Sequence, residues 1–438
     1  MTISSPDLSP PPIPEQGIDV WFVGNRSALF WLALKSGFWT VLTLGFYRFW
    51  MKTRLRRWYW SSIRPGGYPL EYVGDPWEKL LGFFIAVVIL TFYIGIVNLV
   101  LMFASFSFFQ SSFLGYFTSF VGVIPIWFYA QYRARRYVLG RTRWRGVRFG
   151  LEKGAWGYAW RALVHWLITI CTLGILWPRM TFWLEKYKTD RTFFGSGKME
   201  QGGRWQMLFP AAMPFAVGVL LLGLCSVWLV WLDPILPFVV DGEGDFAEAL
   251  GGLLEVELSL LNMIRPARLF VLIPLVLLLI YGAVHYRFVS KRILAGRKTM
   301  NGVQMRSELK GLRISMIYVL GTTIAYLILI IGLGGIVGVA IGLLGPDAFL
   351  EAQIGTSDPL GNLPQWLSFT ILAMLYLSVF LFWGVLHHVF VTFPLMRHMA
   401  VTLSLHNIAG LAEINQRKRD EFAEAEGFAE ALDLGAAI

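Results

Sequence analysis

The sequence predicts an all-α, multi-pass membrane protein that carries small β-hairpins on its inner face, and three observations support this. Hydrophobic residues make up 56% of the 438 and charged residues only 15%, with a mean hydropathy of +0.57; soluble domains hold about 25% charged residues. Apolar runs of about 20 residues, enough to cross ~30 Å of hydrocarbon as a helix, recur along the chain. Basic residues gather between those runs: 28 of the 38 Lys and Arg lie in residues 51–79, 133–155, 179–206 and 286–313. Helices are the expected spans because lipid offers backbone polar groups no partner.

Taken in order, residues 1–19 are Pro-rich, without a basic start or a short apolar core, and read as a disordered cytoplasmic tail rather than a signal peptide. Eight apolar segments follow: Ala28–Trp50, Leu80–Phe103, Ser112–Tyr132, Trp156–Pro178, Met207–Leu232, Ala267–His285, Leu312–Leu344 and Trp366–Leu395. The positive-inside rule puts the four basic loops in the cytoplasm. Residues 233–266, with seven acids against Arg265 alone, and 346–365, with Asp347, Glu351, Asp358 and no cation, go outside. Ala28–Trp50 and Trp156–Pro178 then begin and end on the same side. Each must re-enter or lie flat at the interface, unless all eight segments cross and leave strongly basic loops outside. Both contain a Thr-Leu-Gly triplet, at 43–45 and 172–174, where glycine lets the backbone leave the helix. The result is about six spanning helices in three hairpins, two re-entrant or interfacial segments, and both termini inside. Aligning the triplets pairs Trp31 with Trp160 and Ala33 with Ala162, which reads as an internal repeat (20–132, 133–290, 291–395) followed by a charged amphipathic tail, 396–438.

The basic loops carry strand signals. Asn301-Gly302 is a strong hairpin turn, and Val147, Phe149 and Leu151 alternate. Residues 63–74, 143–154 and 300–311 share the pattern, and the four loops are expected to pack into one cytoplasmic cap.

The stretches TLGFYRFWMKTRLRRWYW, LEYVGDPWEKLLGFF and RARRYVLGRTRWRGVRFGL resemble the YjgN-like family of bacterial inner-membrane proteins, a domain of unknown function, over about Val20 to Leu395. One departure is that the second triplet is followed by ILWPRMTFW rather than a dense arginine run. The resemblance implies a location in the bacterial cytoplasmic membrane and a fold, and no activity.

Chemistry is sparse. Metal binding needs three or four converging ligands, and His165, His285, His387 and His388 show no such spacing, so neither metal nor cofactor is expected. No nucleophile–base or paired-carboxylate constellation argues for an enzyme. Arg54, Arg56, Arg57, Arg133, Arg135 and Arg136, beside interfacial tryptophans, predict contact with anionic membrane lipids. Nucleic acid is not expected as a partner because no groove-reading element accompanies the charge. Gly334, Gly338 and Gly342 fall on one helical face, as close helix packing requires. Lys35, Asn98, Arg161 and His165 are the polar groups a transport cavity would gather. Two roles follow: transport of a small solute or lipid, or a non-transporting envelope scaffold that binds anionic lipids or a partner protein. The sequence leaves oligomeric state open.

Overall fold

The computed structural model describes residues 17–92, 95–96, 98–109, 112–228, 270–344 and 365–417. Twelve helices and ten strands lie among them: β1 (Ile18–Phe22), α1 (Arg26–Leu42), α2 (Arg48–Ser62), β2 (Ile63–Pro65), β3 (Leu70–Tyr72), α3 (Pro76–Phe92), α4 (Asn98–Phe109), α5 (Ser112–Gly140), β4 (Thr142–Trp144), β5 (Val147–Leu151), α6 (Ala155–Cys171), α7 (Trp177–Thr189), β6 (Thr192–Phe194), β7 (Gly197–Gln201), α8 (Phe209–Val227), α9 (Leu272–Ala295), β8 (Lys298–Met300), β9 (Val303–Ser307), α10 (Gly311–Leu344), α11 (Gln365–His387), α12 (Phe393–Val401) and β10 (Leu403–His406). The acidic stretches expected outside, 233–266 and 346–365, fall almost wholly beyond the described residues, as do 1–16 and 418–438.

The strands correct the all-α expectation. They form a single antiparallel sheet in the order β2-β1-β10-β9-β8-β7-β6-β5-β4-β3, whose two edges are consecutive in sequence and joined by residues 66–69. The sheet is a nearly closed barrel. The four basic loops supply eight strands, two each: β4–β5 and β8–β9 are hairpins as their pattern predicted, β6–β7 is a third that the pattern did not mark, and β2 and β3 of 63–74 stand at opposite edges instead of pairing with each other. The last pair comes from the two ends of the described chain: Ile18 pairs with Leu405 and Asp19 with Ser404. Residues 396–417, expected as the start of a tail, thus provide the end of α12, β10 and a closing segment. Two hairpin tips, Arg145-Gly146 (φ 51° and 78°) and Asn301-Gly302 (φ 47° and 81°), have both central residues left-handed, the twist that suits two-residue connections.

Helices α8, α9, α10 and the α11–α12 unit are long and apolar enough to cross a membrane, four segments in all among the described residues. A π-turn, His388–Thr392, joins α11 to α12. The third expected hairpin corresponds to α3, α4 and α5, which are not among those four. All four spans meet the barrel at one end, since α8 and α10 leave its strands while α9 and α12 enter them.

The two Thr-Leu-Gly segments are helical hairpins. α1 leaves β1 and α2 returns to β2; α6 leaves β5 and α7 returns to β6. Leu44 and Gly45 (φ 51° and 95°) and Leu173 and Gly174 (φ 49° and 86°) make the reversal. The threonine locks it: Thr43 Oγ1 donates to Trp39 O (2.7 Å) and accepts from Tyr47 N–H (2.9 Å). Thr172 does the same with Ile168 O (2.9 Å) and Leu176 N–H (3.4 Å). Leu44 and Leu173 sit at the tips, 74% and 91% exposed, as apolar side chains in lipid would be. The first hairpin packs Leu29, Ala33, Leu55 and Tyr59 against Val385, Phe393 and Met396 of the α11–α12 unit.

Candidate functional site

Strand side chains alternate between the two faces of a sheet, and here the inner face is apolar. Val20, Leu70, Trp144, Phe149, Phe194, Met199, Val303, Met305, Leu403 and Leu405 point into the barrel, while Glu71, Arg143, Lys198 and Arg306 occupy intervening positions. Glu71 faces Arg143 across the β3–β4 ladder, a favourable cross-strand charge pair. Inside lies a cavity of about 310 Å³ to which every strand contributes. Met396, Met399 and Ala400 of α12 form its membrane-side wall, and Leu411 closes the far side. Five of the lining residues are methionines, whose unbranched thioethers adapt to guests of varied shape. The Trp144 indole N–H is buried and has no acceptor among the described residues.

The closing segment is held by hydrogen bonds to the hairpin tips. Ser196 N–H donates to Asn415 O (2.8 Å), Arg148 N–H to Gln416 Oε1 (2.9 Å), and Asn407 Nδ2 to Gly302 O (3.0 Å). Ile414 packs on Trp144 and Phe194, which continues the apolar lining.

Buried charge surrounds the barrel at the level of the helix ends. Lys79, in the first turn of α3, is 1% exposed and lies over the rings of Tyr72 (5.0 Å) and Tyr137 (5.9 Å). Burial, then Arg56, Lys52 and Arg57, lowers its amine to about 6. Arg56 donates to Tyr72 Oη (3.3 Å), and Glu78 accepts from Tyr137 Oη (3.0 Å) and Arg141 (2.7 Å). On another side Glu185 of α7 meets Lys298 (2.8 Å), Lys188 (2.9 Å) and Arg135 (3.7 Å). Burial alone would raise its carboxyl; the three cations outweigh it and hold the group well below the usual carboxylate range.

The structure places the residues singled out from the sequence in several different settings. Arg56 and Arg136 are buried. Arg57 donates to Gly74 O (2.9 Å), Arg133 to Tyr129 Oη (3.1 Å), and Arg135 faces Glu185. Arg54 is exposed beside the Tyr47 ring. Lys35 is exposed on α1; Arg161, exposed on α6, lies 4.7 Å over the Tyr187 ring; His165 is half-buried one turn further along α6. Asn98 begins α4, and its side chain lies outside the described set. Among the described side chains, Lys35, Arg161 and His165 do not line the barrel cavity. Among the described residues, a Cβ added at Gly334 or Gly338 would meet no atom within 4 Å, whereas Gly321 on the same helix abuts the Phe390 carbonyl; Gly342 lies where side-chain surroundings are undescribed. Sequence reasoning missed the inward methionines, Lys79 and Glu185. The alternation along β5 hinted at an inward apolar face, and nothing read from the sequence marked the methionines themselves.

No curated protein and no solved structure matches the chain. Residues 18–431 match a family described as a bacterial protein of unknown function (DUF898), and the match starts at the first residue of β1 and runs past β10. With nearly its whole length covered, from the first barrel strand to the closing segment, the chain belongs to this YjgN-like bacterial family.

Proposed function

We propose that this protein binds the apolar chain of a membrane lipid inside its barrel, and so handles lipid at the cytoplasmic face of the bacterial inner membrane. The observation that supports the reading is the cavity itself, 310 Å³ walled by apolar side chains from all ten strands. That volume is in the range of ligand pockets, roughly 300–1,000 Å³. Water is a poor filler because each buried molecule needs two to four polar partners, and Thr299 and the Trp144 indole are the polar side chains on offer. The adaptable methionines suit chains of varied length. A small polar solute would find no matching groups there, so of the two transport substrates expected from the sequence the lipid is favoured.

The cytoplasmic assignment rests on charge, since the loops that form the barrel hold 28 of the 38 basic residues. Native mass spectrometry of the full chain extracted in mild detergent tests the function. Wild type should retain one chain-bearing lipid that withstands delipidation, and Leu405→Trp, which fills the cavity from β10, should release it. Equal retention by a folded Leu405→Trp protein overturns the proposal.

A further inference from the structure

An open cleft lies outside the barrel, where the spans meet it. It occupies about 370 Å³ between α8, α9 and the start of α10. Tyr281, His285 and Arg292 of α9 line one side, Lys310 and Gly311 the other, and Pro210 of α8 part of the remaining wall. The His285 ring is fixed by the Tyr281 hydroxyl, 3.2 Å from its Nδ1. Gly311 is required for this approach, because a Cβ there would sit 2.6 Å from the same nitrogen.

Two independent features make the cleft attractive to an anion. The first is uncompensated cationic charge. Arg292 spends one donor on Leu309 O (3.1 Å), and neither it nor Lys310 has a carboxylate partner among the described residues. The second is the start of α10. Its first intrahelical bond, Ile314 N–H to Lys310 O (3.2 Å), makes Lys310 the cap residue. A lysine has no side-chain acceptor to offer the free first-turn amides, which ordinarily take one from Ser, Thr, Asp or Asn. The amides of Gly311, Leu312 and Arg313 therefore add the positive end of a 34-residue helix to the charge of Arg292 and Lys310. Leu312 and Met316, 59% and 55% exposed on α10, and Met213, 59% exposed on α8, extend an apolar surface away from the cleft.

We propose that this cleft binds a phosphate group, with phospholipid headgroups as its source at this depth: the oxygens take the α10 amides and the two cations, and the chains lie along the exposed apolar faces of α8 and α10. The inference is independent of the barrel cavity, whose lining shares no residue with the cleft. It is tested on the full chain in nanodiscs of phosphatidylcholine with and without phosphatidylglycerol, and in detergent with inorganic phosphate against sodium chloride at equal ionic strength. Lys310→Gln, an exposed side chain, and the double variant Lys310→Gln/Arg292→Gln are compared with wild type by retained phosphatidylglycerol and by melting. About a fivefold drop in anionic-lipid retention is expected for each cation removed. A phosphate-specific rise in melting temperature without lipid preference would place the same chemistry on a free ion. Since Arg292 also braces Leu309, a misfolded double variant leaves Lys310→Gln to decide. Retention and melting of Lys310→Gln indistinguishable from wild type with both probes overturns the proposal.

Discussion

Filling the barrel should stabilise the protein only when its guest is absent. Met305 is the residue to change, because it sits mid-strand in β9, lines the cavity and pairs directly with Leu405 of β10. Met305→Trp adds roughly 60 Å³ of side chain to the 310 Å³ void, which at ~24 cal/mol per Å³ corresponds to about 1.5 kcal/mol. In delipidated protein that amount appears as a raised melting temperature. In protein carrying its lipid the sign reverses, since the indole competes with a chain already in place and overpacking costs ~1–3 kcal/mol. Met305→Ala gives the complementary result: a loss of about 2–5 kcal/mol without lipid, reduced when a flexible chain occupies the added space. The assay is scanning fluorimetry on wild type and both variants, before and after delipidation, with long-chain lipid added back. If Met305→Trp shifts melting by the same amount and in the same direction with and without lipid, the cavity holds no guest and the reasoning fails.

Other expected outcomes follow from the same geometry. Lys79 is desolvated, so the folded state prefers its neutral form; its penalty is largest below the folded value of about 6 and vanishes above the free lysine value of about 10.4. Lys79→Met should therefore raise the melting temperature at pH 7, with a gain that shrinks toward pH 10, and a pH-independent loss would contradict this. Glu185 has the opposite sign: its depressed value adds stability above an unfolded value of about 4.3 that is lost as pH falls through the folded one. Glu185→Gln should cost about 2 kcal/mol at neutral pH, below the ~3–5 for a fully buried pair because these side chains are 15–34% exposed, and pH-resolved urea melts would detect the difference narrowing below about pH 4. Gly321→Ala should lower the melting temperature by pushing α10 off the π-turn, while Gly338→Ala, with nothing within 4 Å among the described residues, should leave it unchanged. A cysteine at Arg145, on a hairpin tip, should react with an impermeant maleimide only after the inner membrane is opened.

Local signals were readable. The Leu-Gly reversals, the Asn301-Gly302 turn and four long apolar runs each depend on a few adjacent residues, and each is where the sequence puts it. The barrel was not readable, because the ladders that join one hairpin to the next link residues far apart, such as Gln201 with Lys298 and Leu151 with Thr192. The cavity is less visible still. Met199, Met305 and Met396 belong to segments separated by whole spans, and a methionine in a short strand looks the same whether its partner across the barrel is a wall or a void. Lys79 and Glu185 read as ordinary loop charges, since nothing nearby in sequence announces the helices that bury them. The arginine runs were legible as charge and not as exposure. Buried Arg56 shares its run with exposed Arg54 and Arg57, and buried Arg136 shares its run with half-buried Arg133 and Arg135, so only packing decides which of each run faces inward.

The closure of β1 on β10 also sets a timetable for biosynthesis. Ile18 must find Leu405, 387 residues later, and at 5–20 residues per second the ribosome needs about 20–80 s to deliver it. During that interval β1 is an open sheet edge, the kind of surface that pairs with strangers, and β9 becomes a second one once residue 307 has been made. Any chain cut short before residue 403 lacks β10, the one strand that covers both β1 and β9, and keeps those edges open for its lifetime.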